Sequence, residues 1–238
     1  MLHFLKPGQF VRFADKAMPF FIAFSFLLIG GGMYFAIFAS PPDYQQGESV
    51  RIMYVHVPSA WMSLFIYMIV ATAGSSFLIW RNPLSDMIAR SSAPIGACFA
   101  FLTLVSGSLW GKPIWGAWWV WDARLTSMLI LFFLYLGYIA LSNAFDDYER
   151  GSKASAVFAL VGAVNVPIIK FSVDWWNTLH QPASVVKFSG PAIDPSMLLP
   201  LLLMAAGFTC YYLVFLAIRV KAEVLSRKIT RLQLRNIS

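Results

Sequence analysis

The chain has 238 residues, of which 59% are apolar and only 12% are charged, and its mean hydropathy is +0.68. Soluble domains carry about 25% charged residues, so this composition excludes a soluble domain and predicts an integral membrane protein. The net charge of +7 does not indicate nucleic-acid binding, because the basic residues cluster at the edges of apolar segments, where anionic lipid headgroups lie.

Six apolar stretches approach the length of about 20 residues that a helix needs to cross a bilayer. They predict an all-α, polytopic membrane protein with one six-span domain over residues 1–238. The fifth stretch is the shortest and carries Asn165, Pro167 and Lys170 near one end. In chain order, the predicted spans are roughly 18–39, 57–80, 87–109, 125–145, 154–171 and 197–218.

The distribution of basic residues predicts the orientation of these spans. Thirteen of the 18 Lys and Arg residues lie in the two termini and in the second and fourth connections. Cytoplasmic loops carry an excess of Lys and Arg, so both termini are expected in the cytoplasm. Three loops are then expected on the outer, periplasmic side, at about 40–56, 110–124 and 172–196.

Sequence motifs for catalysis are missing. The chain has no Walker A pattern, so it is not expected to hydrolyse ATP itself. It also has no HExxH motif and no Ser/His/Asp order, and the pair Asp146 and Asp147 is typical of a solvated helix end. We therefore select no catalytic residues and expect no intrinsic ATPase activity, while the sequence leaves the question of enzyme activity open.

The second predicted outer loop holds five of the nine tryptophans within twelve residues. Gly111, Pro113 and Gly116 are expected to end the third span there. An amphipathic helix along the membrane surface, starting near residue 115, would then place four side chains on one face and leave Trp121 beside it. These four are Trp115, Trp118, Trp119 and Asp122.

Two interpretations of this tryptophan segment remain open. Tryptophans commonly anchor a segment at the level of the lipid headgroups. Several indoles together also offer flat apolar faces, each with one N–H donor, to a planar aromatic ligand. A divided role, in which some indoles contact lipid and others contact a ligand, fits the predicted faces as well.

Two of the three histidines flank the tryptophan segment. His56 lies at the outer mouth of the second span, and His180 lies in the third predicted outer loop. His3 lies in the N-terminal tail and is expected to be incidental. A histidine at a helix mouth is often only an interfacial polar residue, but two neutral imidazoles on opposite faces of a ring can hold haem iron.

Outward-facing basic residues are the third unusual feature, because this side is normally depleted of them. Arg51 and Arg124 are the best candidates to pair with haem propionates, or to brace the loops, since guanidinium matches carboxylate geometry. Asp122 is expected to cap the fourth span or to pair with Arg124. Lys112 and Lys187 are the other cations near these loops.

Three segments resemble a known family. They are WGKPIWGAWWVWDARLT at 110–126, MYVHVP at 53–58 and WWNTLH at 175–180. The first is similar to the signature of the WWD-domain haem-handling proteins of c-type cytochrome biogenesis, and the other two resemble the segments that carry that family's axial histidines. The length and the six spans resemble its shorter branch, the cytochrome c maturation protein C family.

This resemblance implies a function. The chain would present haem b on the outer face of the bacterial inner membrane, with His56 and His180 as axial ligands, and deliver it to a periplasmic haem chaperone. The haem would rest on one platform formed by Trp115, Trp118, Trp119, Trp121 and Asp122. A small single-span subunit and an ABC transporter would complete the complex. The alternatives are a structural subunit of such a complex without haem ligation, a b-type membrane cytochrome, and an ion-coupled transporter.

Overall fold

The computed structural model describes residues 6–181, 185 and 190–237 of the chain. These residues form seven α-helices, and six helical stretches are long and apolar enough to cross a membrane, which confirms the predicted six spans. A π-helical turn at Phe35–Ala39 extends the first helix, and a 3₁₀ turn at Glu48–Ile52 precedes the second. The helices are α1 Pro7–Tyr34, α2 Met53–Trp80, α3 Pro83–Trp115, α4 Ala123–Ser142, α5 Tyr148–Gly162, α6 Asn165–Trp175 and α7 Pro195–Ile237.

The fifth span consists of two helices, α5 and α6, which are separated at residues 163–164. Asn165, the first residue of α6, therefore lies inside the span and not near its end. Its side-chain amide donates to the backbone carbonyl of Ser127 in α4 at 2.9 Å. A buried amide in an apolar span needs such a partner, so this bond fixes the position of α6 against α4.

Helices α2 and α3 form an antiparallel pair at the centre of the bundle. Both contact α7, while α2 also packs on α5 and α3 on α4. Close approach depends on small residues: a methyl group on Gly96 of α3 would lie 2.2 Å from the Tyr135 ring of α4. The hydroxyl of Tyr135 donates to the Ser63 carbonyl of α2 at 2.6 Å, so this one side chain links three helices.

A buried acidic residue connects helices at one end of the bundle. Asp86 of α3 is 3% exposed and accepts from Arg90, Tyr148 and Arg227. The guanidinium groups of Arg90 and Arg227 also lie over the Tyr148 ring, at 4.1 and 4.0 Å from its centroid. This cluster joins α3, α5 and the long helix α7.

The opposite end of the bundle carries the residues selected from the sequence. Three connections lie there. They lead from the π-helical turn to α2 (40–52), from α3 to α4 (116–122) and from α6 to α7 (176–194). His56, the tryptophan segment and His180 are thereby collected at one end, although they are far apart along the chain.

Candidate functional site

A cavity of about 250 Å³ lies at this end of the bundle, between α2, α3, α4 and α6. It is lined by residues from four helices and by residues of the connecting segments, namely Gln46, Trp119, His180, Gln181 and Val185. Five of the residues selected from the sequence line it: His56, Trp115, Trp119, Arg124 and His180. We call it the histidine cavity.

His56 lies in the first turns of α2 and is 8% exposed. Its Nδ1 lies 3.1 Å from the hydroxyl oxygen of Ser106, and that hydroxyl donates to the Leu102 carbonyl at 2.6 Å. Because the serine proton is used in this second bond, Ser106 accepts from the N–H at Nδ1. The imidazole is thus held in the tautomer that leaves Nε2 without a proton, which is the form that binds a metal.

His180 lies in a non-helical segment that is fixed by a chain of side chains. Asp122 accepts from the Leu125 N–H at 2.7 Å, which confirms that it caps α4, and its other oxygen accepts from the hydroxyl of Thr178. The Thr178 hydroxyl oxygen in turn accepts from the backbone N–H of His180 at 3.1 Å. Asp122, the acidic residue of the tryptophan segment, therefore positions His180 through Thr178.

The environment of the His180 ring favours its neutral form. Burial lowers the pKa of the imidazole, and the neighbouring Arg124 guanidinium lowers this pKa further. Its Nδ1 lies 3.2 Å from both the Arg124 guanidinium and the Gln181 carbonyl. The carbonyl accepts from a protonated Nδ1, whereas the guanidinium donates to an unprotonated one, so the two contacts correspond to the two tautomers.

The two imidazoles face each other across the cavity. Their ring centroids are 6.4 Å apart, and their planes are inclined by 31°. A metal–imidazole nitrogen bond is about 2.0 Å long, so two rings in line on one ion have centroids about 6 Å apart. The hydrogen bonds of both rings use Nδ1, which leaves Nε2 of His56 for such an ion, and also Nε2 of His180 in the tautomer that donates to the Gln181 carbonyl.

Residues 116–122 of the tryptophan segment are not helical, and the predicted amphipathic helix from residue 115 is wrong. Helix α3 continues through Gly111 and Pro113 to Trp115. It ends at Gly116, which has a φ of 74°, a conformation that residues with a side chain rarely adopt. Pro113 does not end the helix earlier because it lies in the last turn, where it costs one backbone hydrogen bond.

The predicted common face of three tryptophans and Asp122 is therefore absent, and the indoles are divided differently. Trp115 and Trp119 line the histidine cavity, and Trp115 lies 6.3 Å from the His180 ring. Trp118 and Trp121 are 56% and 76% exposed and do not line it. Trp110, which was not selected from the sequence, does line it and lies edge-on to His56 at 5.6 Å.

The predicted cations also occupy different positions. Arg124 lines the cavity and donates to the Ser172 hydroxyl and to the carbonyls of Ile169 and Lys170. Arg51 does not line it: its guanidinium binds Glu48 and the carbonyls that end the π-helical turn.

Lys170 lines the histidine cavity, although the sequence placed it only near a span end. Lys112 donates to the Gly116 carbonyl at 2.9 Å and lies over the Trp118 ring. Lys187 and His3 lie outside the described residues. Among the residues that the structure describes, the lining of the cavity holds two cations and no carboxylate.

The fold and the site together define a class. The chain is a multi-pass helical membrane protein with a paired-imidazole cavity, lined by indoles and cations, at one end of its bundle. Such a cavity suits a flat, anionic ligand that carries a metal ion, because it offers two axial nitrogens, aromatic faces and positive charge.

Comparisons with known proteins agree with this class. The sequence model of the family described as heme exporter protein C (CcmC) matches residues 1–235 of the chain. The heme exporter protein C of Bradyrhizobium diazoefficiens is 48% identical over 238 residues, which cover 100% of this chain and 90% of that protein. That of Haemophilus influenzae is 46% identical, over 96% of this chain and 93% of that protein.

A relative from Marchantia polymorpha, named a putative cytochrome c biosynthesis ccmC-like mitochondrial protein, is 45% identical over 93% of this chain and 94% of its own length. The chain belongs to the heme exporter protein C family. This confirms the family that the tryptophan signature indicated.

Proposed function

We propose that this chain handles haem for c-type cytochrome biogenesis by holding it in the histidine cavity, with His56 and His180 as axial ligands. Haem is here the cargo and not a resident cofactor. The observation that carries the proposal is the pair of facing imidazoles, with centroids 6.4 Å apart and with the hydrogen bonds of both rings at Nδ1. Family membership and the printed names of the relatives support haem and cytochrome c biosynthesis as its context.

The surroundings of the imidazoles support a porphyrin over a bare metal ion. Among the described residues, no group of three or more His, Cys, Asp or Glu side chains could hold an ion by itself. The cavity supplies instead the faces of Trp110, Trp115 and Trp119, against which an apolar ring can lie. We assign Trp118 and Trp121, which point outward, to the membrane surface.

The cations of the cavity fit the propionates. Lys170 and Arg124 line it, and Arg124 now contacts Nδ1 of His180. Ligation of iron through Nε2 requires a proton on Nδ1, to which a guanidinium cannot donate. Haem binding therefore releases Arg124 from this contact, and its guanidinium becomes available to a propionate. Arg51 braces the end of the first span against the turn before α2.

The size of the cavity supports delivery of haem over permanent storage. Sites that enclose a small-molecule ligand measure about 300–1,000 Å³. A cavity of about 250 Å³ holds only part of a haem, so one edge of the ring stays outside. That exposed edge is where a periplasmic haem chaperone would take over the cargo. We place this end on the periplasmic side of the bacterial inner membrane, within an ABC-transporter complex with a small single-span subunit, following the Lys and Arg distribution and the family.

Transfer of haem tests the proposal. The purified protein is loaded with haem in detergent and mixed with the apo form of a periplasmic haem chaperone. We expect the bis-histidine absorbance of the membrane protein to disappear as the chaperone gains haem. A chaperone variant without its haem-binding histidine is the control and should leave the absorbance unchanged. A purified chain that binds no haem would contradict the proposal and favour a structural subunit.

A further inference from the structure

A second cavity, a groove of about 500 Å³, lies beside the histidine cavity and opens between α3 and α4. Its lining is almost entirely apolar, and Val105, Leu109 and Trp121 there are 40%, 52% and 76% exposed. Both helices belong to membrane-spanning stretches, so a side chain exposed on this outer surface faces lipid. We call this cavity the lipid-facing groove.

The groove and the histidine cavity are separated by very little protein. Three residues line both of them: Leu104, Ser108 and Trp119. Leu104 and Ser108 lie on consecutive turns of α3 and form one edge of the shared wall between the two cavities. The indole of Trp119 therefore forms the wall that a ligand in the groove would have to displace to reach the histidines.

The indole ring of Trp119 packs edge-on against Trp121, with ring centroids 5.5 Å apart. Its polar edge has no partner, because the buried indole N–H donates to no acceptor among the described residues. A buried donor without an acceptor is unfavourable, so the indole N–H in this position favours the arrival of an acceptor. An acceptor that arrived through the groove, such as a carboxylate, would satisfy the donor.

The segment that carries Trp119 is also held by side chains and not by a backbone ladder. Residues 116–122 lie between helices, and the Ser108 hydroxyl donates to the Trp118 carbonyl at 2.7 Å. Lys112 donates in the same way to the Gly116 carbonyl at 2.9 Å. Together with the backbone bond from the Gly116 N–H to the Lys112 carbonyl at 3.0 Å, these bonds attach the segment to α3, so loss of the side-chain bonds loosens the segment without unfolding a helix.

We propose that the lipid-facing groove is a lateral portal through which haem dissolved in the membrane enters the histidine cavity, and that the Trp119 side chain is its gate. The proposal rests on the proposed function above and adds the route. Its occupant is the porphyrin itself: the apolar ring edge matches the groove, and the cavity behind Trp119 supplies the cations for the carboxylates.

A variant that fills the groove tests the portal. Val105→Trp enlarges a residue that lines the groove but not the histidine cavity. Phe101→Trp is the matched control, because Phe101 lies one turn earlier on α3, is 56% exposed and lines neither cavity. Both proteins are reconstituted in vesicles that contain haem, and the growth of the bis-histidine absorbance is followed by stopped flow.

We expect Val105→Trp to slow haem uptake from the bilayer by about tenfold or more, because a blocked gate limits entry and not affinity. The equilibrium haem spectrum in detergent should be unchanged, and Phe101→Trp should match the wild type. Unchanged uptake by Val105→Trp would overturn the portal and leave the groove as a lipid contact. Absence of a haem spectrum in the wild type would instead overturn the proposed function, so the two failures are distinguishable.

A second variant should open the Trp119 gate, and it tests the portal even if Val105→Trp does not fold. Lys112→Met removes the bond to the Gly116 carbonyl at a residue that lines neither cavity. The portal predicts faster uptake and faster loss of haem to empty vesicles, with little change in their ratio. Slower haem exchange with the vesicles, or no change in the rate of uptake or of loss, would contradict the role of Trp119 as the gate.

Discussion

Gly107 of α3 lies directly against the His56 ring: a methyl group on its Cα would stand 2.8 Å from Cε1 and 3.3 Å from Nδ1. The absence of a side chain at this position lets the imidazole approach α3 and reach Ser106. We predict that Gly107→Ala displaces the ring and weakens haem binding by about tenfold, since overpacking of this kind costs about 1–3 kcal/mol. Titration of the purified protein with haem measures the effect.

Gly31→Ala is the control for this substitution. Gly31 also lies in a membrane-spanning helix, but a methyl group there would meet nothing within 4 Å. Its haem affinity should equal that of the wild type. Equal affinities for both variants would mean that the position of the His56 ring does not limit binding.

The two adjacent tryptophans of the signature should behave differently. Trp119 lines the histidine cavity, whereas Trp118 is 56% exposed and lies under Lys112. We predict that Trp119→Leu weakens haem binding and that Trp118→Leu leaves the haem spectrum and affinity unchanged. A larger loss in Trp118→Leu would restore the interpretation that all the indoles form one platform.

The link from Asp122 to His180 passes through one hydroxyl. Thr178→Val keeps the shape of the side chain but removes the bonds to the Asp122 carboxylate and from the His180 N–H. Hydrogen bonds to charged groups contribute about 1.5–3 kcal/mol, so we expect a loss of haem affinity of about tenfold. Thr72→Val, whose hydroxyl bonds only the backbone of its own helix, is the control and should not change affinity.

The cluster around Asp86 should affect stability and not haem. Its carboxylate is 3% exposed and accepts from two guanidinium groups and from Tyr148. Breaking a buried ion pair costs about 3–5 kcal/mol, so Asp86→Asn should lower the midpoint of thermal unfolding clearly. Asp15→Asn, which breaks the more exposed pair with Lys221, should lower it little. A changed haem spectrum in Asp86→Asn would show that the two ends of the bundle are coupled.

The sequence predicts those features that follow from local composition. Apolar run length predicted six spans because a span must satisfy its own backbone in lipid. The cap at Asp122 followed from its position before an apolar run. The predicted helix over the tryptophan segment was wrong because Gly116 ends α3 in a left-handed conformation. The sequence alone does not indicate which of Gly111, Pro113 and Gly116 ends the helix.

Features that depend on packing between distant segments could not be read in this way. Gly107 and Ser106 contact His56 only because α2 and α3 are antiparallel neighbours, and glycine in a span has many other uses. Lys170 lines the cavity because α6 packs against α4 and α2, and a position near the end of an apolar run does not reveal those neighbours. The path of residues 116–122 likewise decides that Trp119 lines the histidine cavity while Trp118 and Trp121 are exposed.

The most direct test of the account is ligand replacement at the paired histidines. His56→Ala and His180→Ala are purified separately, loaded with haem and examined by absorption and electron paramagnetic resonance. We predict that each variant loses the low-spin bis-histidine signature, and that added imidazole restores it by filling the space of the missing ring. A variant that keeps the wild-type spectrum and still loads the chaperone at the wild-type rate would contradict axial ligation by that histidine.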